Sequence, residues 1–172
     1  MTKSALPFHK EATVLVAASP EVVFQWLDDH QRLATHMEKP SLMMAGASMH
    51  IETDDRNGQA VGSVITLKGR VLGMDLSVTE QVTDYAPPLR KAWETIGTPR
   101  LLVIGPYCMG FTLVAGTPNC ILSVWIDYDL PTGWLTRWLG KLLGGFYANW
   151  CVQRMSSDAV QTFCKGNGNG NP

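Results

Sequence analysis

What most constrains this chain is the order of its hydrophobic patterns: a strand, a short helix, six more strand-like stretches, then one long amphipathic helix. Lys10 to Ala17 (KEATVLVA) is rich in β-branched residues and reads as the first strand. Ser19-Pro20-Glu21 follows: a capping residue, a proline suited to the first helical position, and an acid suited to the positive helix end. A helix is predicted from there to about Asp29, with Val23, Trp26 and Leu27 on one face. Leu33 and Met37 extend that apolar side into a second short helix.

The remaining strands are separated by turn signals. Met49 to Thr53 ends at a turn containing Asn57-Gly58, and Ala60 to Lys68 comes next. In Leu72 to Thr83, Met74, Leu76, Val78, Glu80 and Val82 share one face, and Asp75, Ser77, Thr79 and Gln81 share the other. Pro87-Pro88 breaks the chain before Arg90 to Ile96. Leu101 to Val114 is interrupted by Gly105-Pro106, which suggests a bulge or bend. Cys120 to Leu130 alternates Leu122, Val124, Ile126 and Tyr128 against Ser123, Trp125, Asp127 and Asp129.

A helix is predicted after Pro131-Thr132-Gly133, running to about Cys164. Leu135, Trp138, Leu139, Leu142, Leu143, Phe146 and Trp150 form a broad apolar stripe in its first half, and Gly144-Gly145 marks a place where it can bend. Short connections favour antiparallel meander pairing, and a twisted sheet of this size needs one face covered. The expected fold class is therefore α+β: a curved antiparallel sheet of about seven strands wrapped around a long C-terminal helix, a helix-grip, with two short helices after the first strand. At 172 residues this is a single domain, 1–164, with a disordered Gly/Asn tail at 165–172.

The balance of charge excludes several functions. Net charge is −1 and no basic block occurs, so no nucleic-acid partner is expected. The four cysteines lie far apart, and the four histidines (His9, His30, His36, His50) show no metal-ligand spacing. Neither a phosphate-binding loop nor a dinucleotide fingerprint is present, so no metal and no cofactor are expected. The first residues lack the apolar region of a secretory signal, and no apolar run is long enough to span a bilayer. A cytoplasmic protein with reduced thiols is the expectation.

Three segments carry a family likeness: VLVAASPEVVFQWLDD near the front, PPLRKAWE in the middle, and the last strand passing through DYDLP into the Trp-rich helix. In these the chain resembles the START-like, or SRPBCC, superfamily, nearest to its polyketide cyclase/dehydrase and coenzyme-Q-binding type branches. The resemblance covers nearly the whole chain except the tail. It implies a cavity between the concave sheet and the terminal helix. It does not identify the occupant, because lipid carriers, polyketide binders and aromatase/cyclases share these structural motifs.

Within that frame the residues of interest are polar groups on apolar faces. Glu80 lies on the apolar face of its strand, either as a desolvated pocket group or at a strand end open to water, and Arg70 is a candidate partner. Of Trp93 and Glu94, one points inward, and Trp93 is preferred. Tyr107 and Tyr128 offer rings to an apolar ligand and hydroxyls to its polar head, or serve as ordinary core tyrosines. Met74 and Trp138 are candidate apolar walls, and His36 is a candidate rim group. Trp134, Trp138 and Trp150 with Arg137, Lys141 and Arg154 also fit an interfacial membrane helix, though a cavity-covering helix needs the same apolar stripe.

These features lead to binding or transport of a small hydrophobic molecule (a lipid, isoprenoid or polyketide) as the first expectation. The alternative is a cyclase- or dehydrase-type enzyme using Glu80 or His36 for proton transfer. A surface interaction module without ligand is the third. Peripheral membrane contact and the oligomeric state stay open.

Overall fold

The computed structural model describes residues 6–29, 48–71 and 73–165. Its elements in chain order are β1 (Phe8–Val16), α1 (Pro20–Leu27), β2 (Ser48–Thr53), β3 (Val64–Val71), β4 (Met74–Ala86), β5 (Arg90–Arg100), β6 (Tyr107–Ala115), β7 (Cys120–Tyr128) and α2 (Trp134–Lys165). The second short helix, His36 and the Gly/Asn tail beyond Lys165 fall outside the described residues.

The strands form one antiparallel sheet in the order β1-β7-β6-β5-β4-β3-β2. Strands β2 to β7 follow one another as a meander, and β1 joins the free edge of β7, with Ala12 opposite Val124. The Asn57-Gly58 turn signal is realised: Asn57 has φ 53° and Gly58 φ 72°, a left-handed pair that asparagine and glycine tolerate. Asp54 ties this turn, accepting hydrogen bonds from the backbone N–H groups of Arg56 and Val64 at 3.2 Å each and from the Ser63 hydroxyl. Ser19 occupies the N-cap of α1 and Pro20 its first turn, but the Ser19 side chain makes no capping bond.

The concave face of the sheet is apolar. Leu122, Val124 and Ile126 of β7, Phe111 and Leu113 of β6, Trp93 of β5 and Ala12 and Val16 of β1 are buried against Val23, Phe24 and Leu27 of α1 and Ala148, Val152 and Ala159 of α2. A second buried cluster, Ile65, Leu67, Val78 and Val82, lies on β3 and β4. Tyr85, Leu101 and Tyr107 touch both clusters. The interior is thus two apolar regions with a seam between them.

Helix α2 packs along β1 and β7, but not through the stripe expected from the sequence. The docked side uses small residues: Gly140, Gly144 and Ala148, then Val152, Ser156 and Ala159. A Cβ at Gly144 would stand 2.8 Å from the Val103 carbonyl oxygen, and one at Gly140 would stand 2.9 Å from the same atom. The helix therefore lies closer to the β5–β6 connection than any larger residue allows, and Gly144-Gly145 serves close approach within one continuous helix. The large residues Leu135, Trp138, Leu142, Leu143 and Phe146 stay exposed. In an open helix Gly→Ala gains about 1 kcal/mol. Gly144→Ala is expected instead to lose ~1–3 kcal/mol by overpacking. A urea melt checks this, and a gain in stability would show that the helix sits farther out.

Candidate functional site

The alternation of β4 points Glu80 to the concave face beside Val78 and Val82, and only 7% of it is exposed. The strand end is therefore not open to water at this position. Burial holds the Glu80 carboxyl up, to about 7 from its ordinary 4.5, against hydrogen bonds from the Tyr107 hydroxyl and the Trp93 side chain and the positive charge of Lys91. Tyr107 Oη donates to Glu80 Oε1. Tyr107 stands at the start of β6, where its backbone N–H donates to Thr95 Oγ1 at 3.0 Å, fixing the ring beside β5. Its own ionisation is driven well above the usual phenol range by burial and by the Glu80 charge, so its proton stays on.

A second polar group lies on the same face. By the alternation of β5, Lys91 shares the side of Trp93, and it is 1% exposed. Lys91 Nζ pairs with Asp28 Oδ1, directly after α1, and lies 5.5 Å above the Tyr85 ring. The Tyr85 hydroxyl donates to Asp28 Oδ2 at 2.8 Å. Burial lowers the Lys91 pKa, opposed by Asp28 and by Glu80. From α2, Tyr147 and Cys151 share a hydrogen bond, and burial pushes the Cys151 thiol up to about 12.

Of the residues singled out in the sequence, the structure brings together Glu80, Trp93 and Tyr107. Trp93 is the inward residue of its pair, 7% exposed. Tyr128 is buried on the neighbouring strand, opposite Tyr107 in register, but it packs under α2 with its ring stacked on Phe8 at 5.3 Å. Arg70 does not reach Glu80: it lies at the β3–β4 hairpin, where its Nε donates to Asp75 Oδ1 at 2.8 Å in water. Met74 is at the same exposed hairpin end and lines no buried wall. Trp138 is 60% exposed on α2, so it is not a buried wall residue either.

Lys91, Asp28 and Tyr85 are the residues missed. Period-two reading from Trp93 reaches Lys91, but a lysine close to a proline-rich turn reads as surface. Asp28 shows no local signal, because its partner is 63 residues away.

Chemically, the seam offers a protonatable carboxyl, a phenol that keeps its proton, an indole donor and a buried ammonium group, all set in apolar walls. Such a set can bind one polar head while the rest of a ligand lies on hydrocarbon and rings. A separate cleft of 370 Å³ opens between β1 and α2, lined by Phe8, His9, Lys10, Tyr128, Gly140 and Lys141 among others.

No curated protein matches the chain in sequence. Its fold is similar to that of norcoclaurine synthase from Thalictrum flavum, solved in complex with dopamine and hydroxybenzaldehyde, at 16% identity and a TM-score of 0.60, covering 97% of this chain and 91% of that one. It is similar to a protein from Thermus thermophilus at 12% identity and a TM-score of 0.64, covering 94% of this chain and 100% of that one. Ara h 8.0201 is also similar, at 12% identity and a TM-score of 0.61, with 92% of this chain and 98% of that one covered. These likenesses bear on the fold. The sequence itself matches the family model for polyketide cyclase/dehydrase and lipid transport over residues 7–158. With the helix-grip architecture and that match together, the chain belongs to the polyketide cyclase/dehydrase and lipid transport family, within the START-like (SRPBCC) superfamily.

Proposed function

We propose that the protein binds a small, mostly apolar molecule with one polar head, the head meeting Glu80 and Tyr107 and the apolar body lying between the two interior clusters. The observation that supports this most is a buried carboxyl hydrogen-bonded to a half-buried phenol at the seam between two apolar clusters. Such a group costs stability, and a polar head for it to meet would account for its being kept. The family description, which includes lipid transport, agrees with an apolar ligand. A lipid, isoprenoid or polyketide has the required character.

A second reading, proton transfer during cyclisation or dehydration, draws on a different observation. Glu80 with a pKa of about 7 is poised to take or give a proton near neutrality. The similar fold of norcoclaurine synthase was solved with dopamine and hydroxybenzaldehyde bound, which shows that aromatic amines and aldehydes fit this architecture in that protein. Binding comes first, since any such reaction requires it.

Mass spectrometry on an organic extract of the purified protein tests the binding reading. The expected result is an apolar compound bearing one hydrogen-bonding group, near one per chain, depleted in a Trp93→Ala, Tyr107→Phe double variant. An enriched compound held equally by the variant would place the ligand elsewhere and count against this site.

A further inference from the structure

The exposed stripe on α2 has a chemistry of its own. Trp134 is 84% exposed and Phe146 62%, and Leu135, Trp138 and Leu142 stand out from the surface with them. At 3.6 residues per turn Leu135, Trp138, Leu142 and Phe146 lie roughly opposite the Gly140-Gly144-Ala148 side that docks on the sheet, with Trp134 at the edge of the stripe. Among the described residues, the packing of α2 leaves this stripe uncovered. Between Asp129 and Asp158 every charged residue is basic: Arg137, Lys141 and Arg154. Arg154 is engaged by Asp158 at 3.0 Å, toward the other end of the helix. Arg137 and Lys141 are exposed and line the edge of the stripe that runs past Trp134, with no acid on the same half of the helix. Lys141 also forms part of the neighbouring cleft, where Lys10 adds another ammonium group. The acids of that corner, Glu11 and Asp127, are both bridged by His9.

We propose that the N-terminal half of α2 docks on the surface of a bilayer containing anionic phospholipid. The helix lies in the interface plane, with Trp134, Trp138, Leu142 and Phe146 dipping into the acyl boundary and Arg137 and Lys141 meeting phosphate groups. A large apolar face on a helical segment whose only charges are cationic is the pattern of an interfacial helix. Tryptophan suits the boundary because its ring is apolar and its N–H is polar. Among the described residues no helix is long and apolar enough to cross a membrane, so the contact is peripheral. The inference stands apart from whatever occupies the interior.

Co-sedimentation with vesicles of phosphatidylcholine, with and without phosphatidylglycerol, tests it. The full chain is expected to sediment with the mixed vesicles and much less with phosphatidylcholine alone. Raising the salt should release it. Arg137→Ser and Lys141→Ser should each weaken partition roughly fivefold, the worth of one basic residue near an anionic surface. Trp138→Ser with Leu142→Ser should abolish sedimentation while leaving the thermal melt unchanged, since both side chains are exposed. Failure of the unmodified chain to bind mixed vesicles overturns the proposal, and so does unimpaired binding by the variants. A dimer in analytical ultracentrifugation that Trp138→Ser splits, or a melt sharply lowered by that variant, would assign the face to a second copy or to this chain's own packing, and would likewise overturn it.

Discussion

Glu80→Gln is expected to make the protein more stable at pH 8, by up to about 3 kcal/mol, and to leave it nearly unchanged at pH 4.5 or below. The folded-state pKa of Glu80, about 7, lies above its ordinary 4.5, so the folded chain holds a proton that the unfolded chain gives up. Stability from that proton is fully present below 4.5 and is lost as pH rises through about 7. Above that, the fold must hold a carboxylate in apolar surroundings. Gln keeps a carbonyl for the Tyr107 and Trp93 donors and removes the charge. Urea denaturation across pH 4 to 9 checks this, and parallel wild-type and variant curves would show that Glu80 is better solvated than its burial implies. A gain of this size would also mean that glutamate is kept for something other than stability.

The opposite sign is expected at the other buried pair. Asp28→Ala leaves Lys91 without its carboxylate and the Tyr85 hydroxyl without its acceptor. Removing one partner of a buried ion pair costs about 3–5 kcal/mol, because the remaining charge is stranded in low dielectric. Replacing both partners, as Asp28→Leu with Lys91→Met, should recover most of the loss. The double-variant cycle by urea melts separates the pair from simple packing. A single variant within ~0.5 kcal/mol of wild type, the range of ordinary surface changes, would show that Lys91 reaches water.

The architecture is legible in the sequence because it rests on local patterns. Alternation in β4 and β7, the Asn57-Gly58 turn and the Pro20 helix start are each set by neighbouring residues, and antiparallel pairing follows from short connections. Boundaries are less so. β5 runs on to Arg100 through Gly97, and residues 101–106, strand-like in sequence, form the connection to β6. Pattern alone does not separate a fully extended apolar run from one that crosses over the end of β7, where the Gly105 N–H donates to the Asp129 carbonyl at 2.7 Å.

Half of the candidate site is legible for the same reason. Trp93, Glu80 and Tyr107 share a face by period two, and register brings them together. What the sequence does not contain is which polar residue meets which. Arg70 pairs with Asp75 in register, on the face of the sheet opposite Glu80, whose register partner is Ile65. Lys91 and Asp28 meet only through the packing of α1 on the sheet. The largest difference between sequence and structure concerns α2, where bulky side chains suggest the buried side. A helix docking tightly on a sheet uses glycine and alanine there, and Trp134 and Trp138 are left outside.

The central claim, an apolar site closed by the Glu80–Tyr107 pair, is tested most directly by titrating the protein with Nile red, a neutral dye with one carbonyl acceptor, at pH 6 and pH 8. A protonated Glu80 adds a donor for that carbonyl and spares the burial of a charge. Saturable one-to-one binding is predicted, roughly tenfold tighter at pH 6, the equivalent of about 1.4 kcal/mol. Glu80→Gln should bind with no such dependence on pH. Absence of saturable binding, or an unchanged pH dependence in Glu80→Gln, would contradict the account.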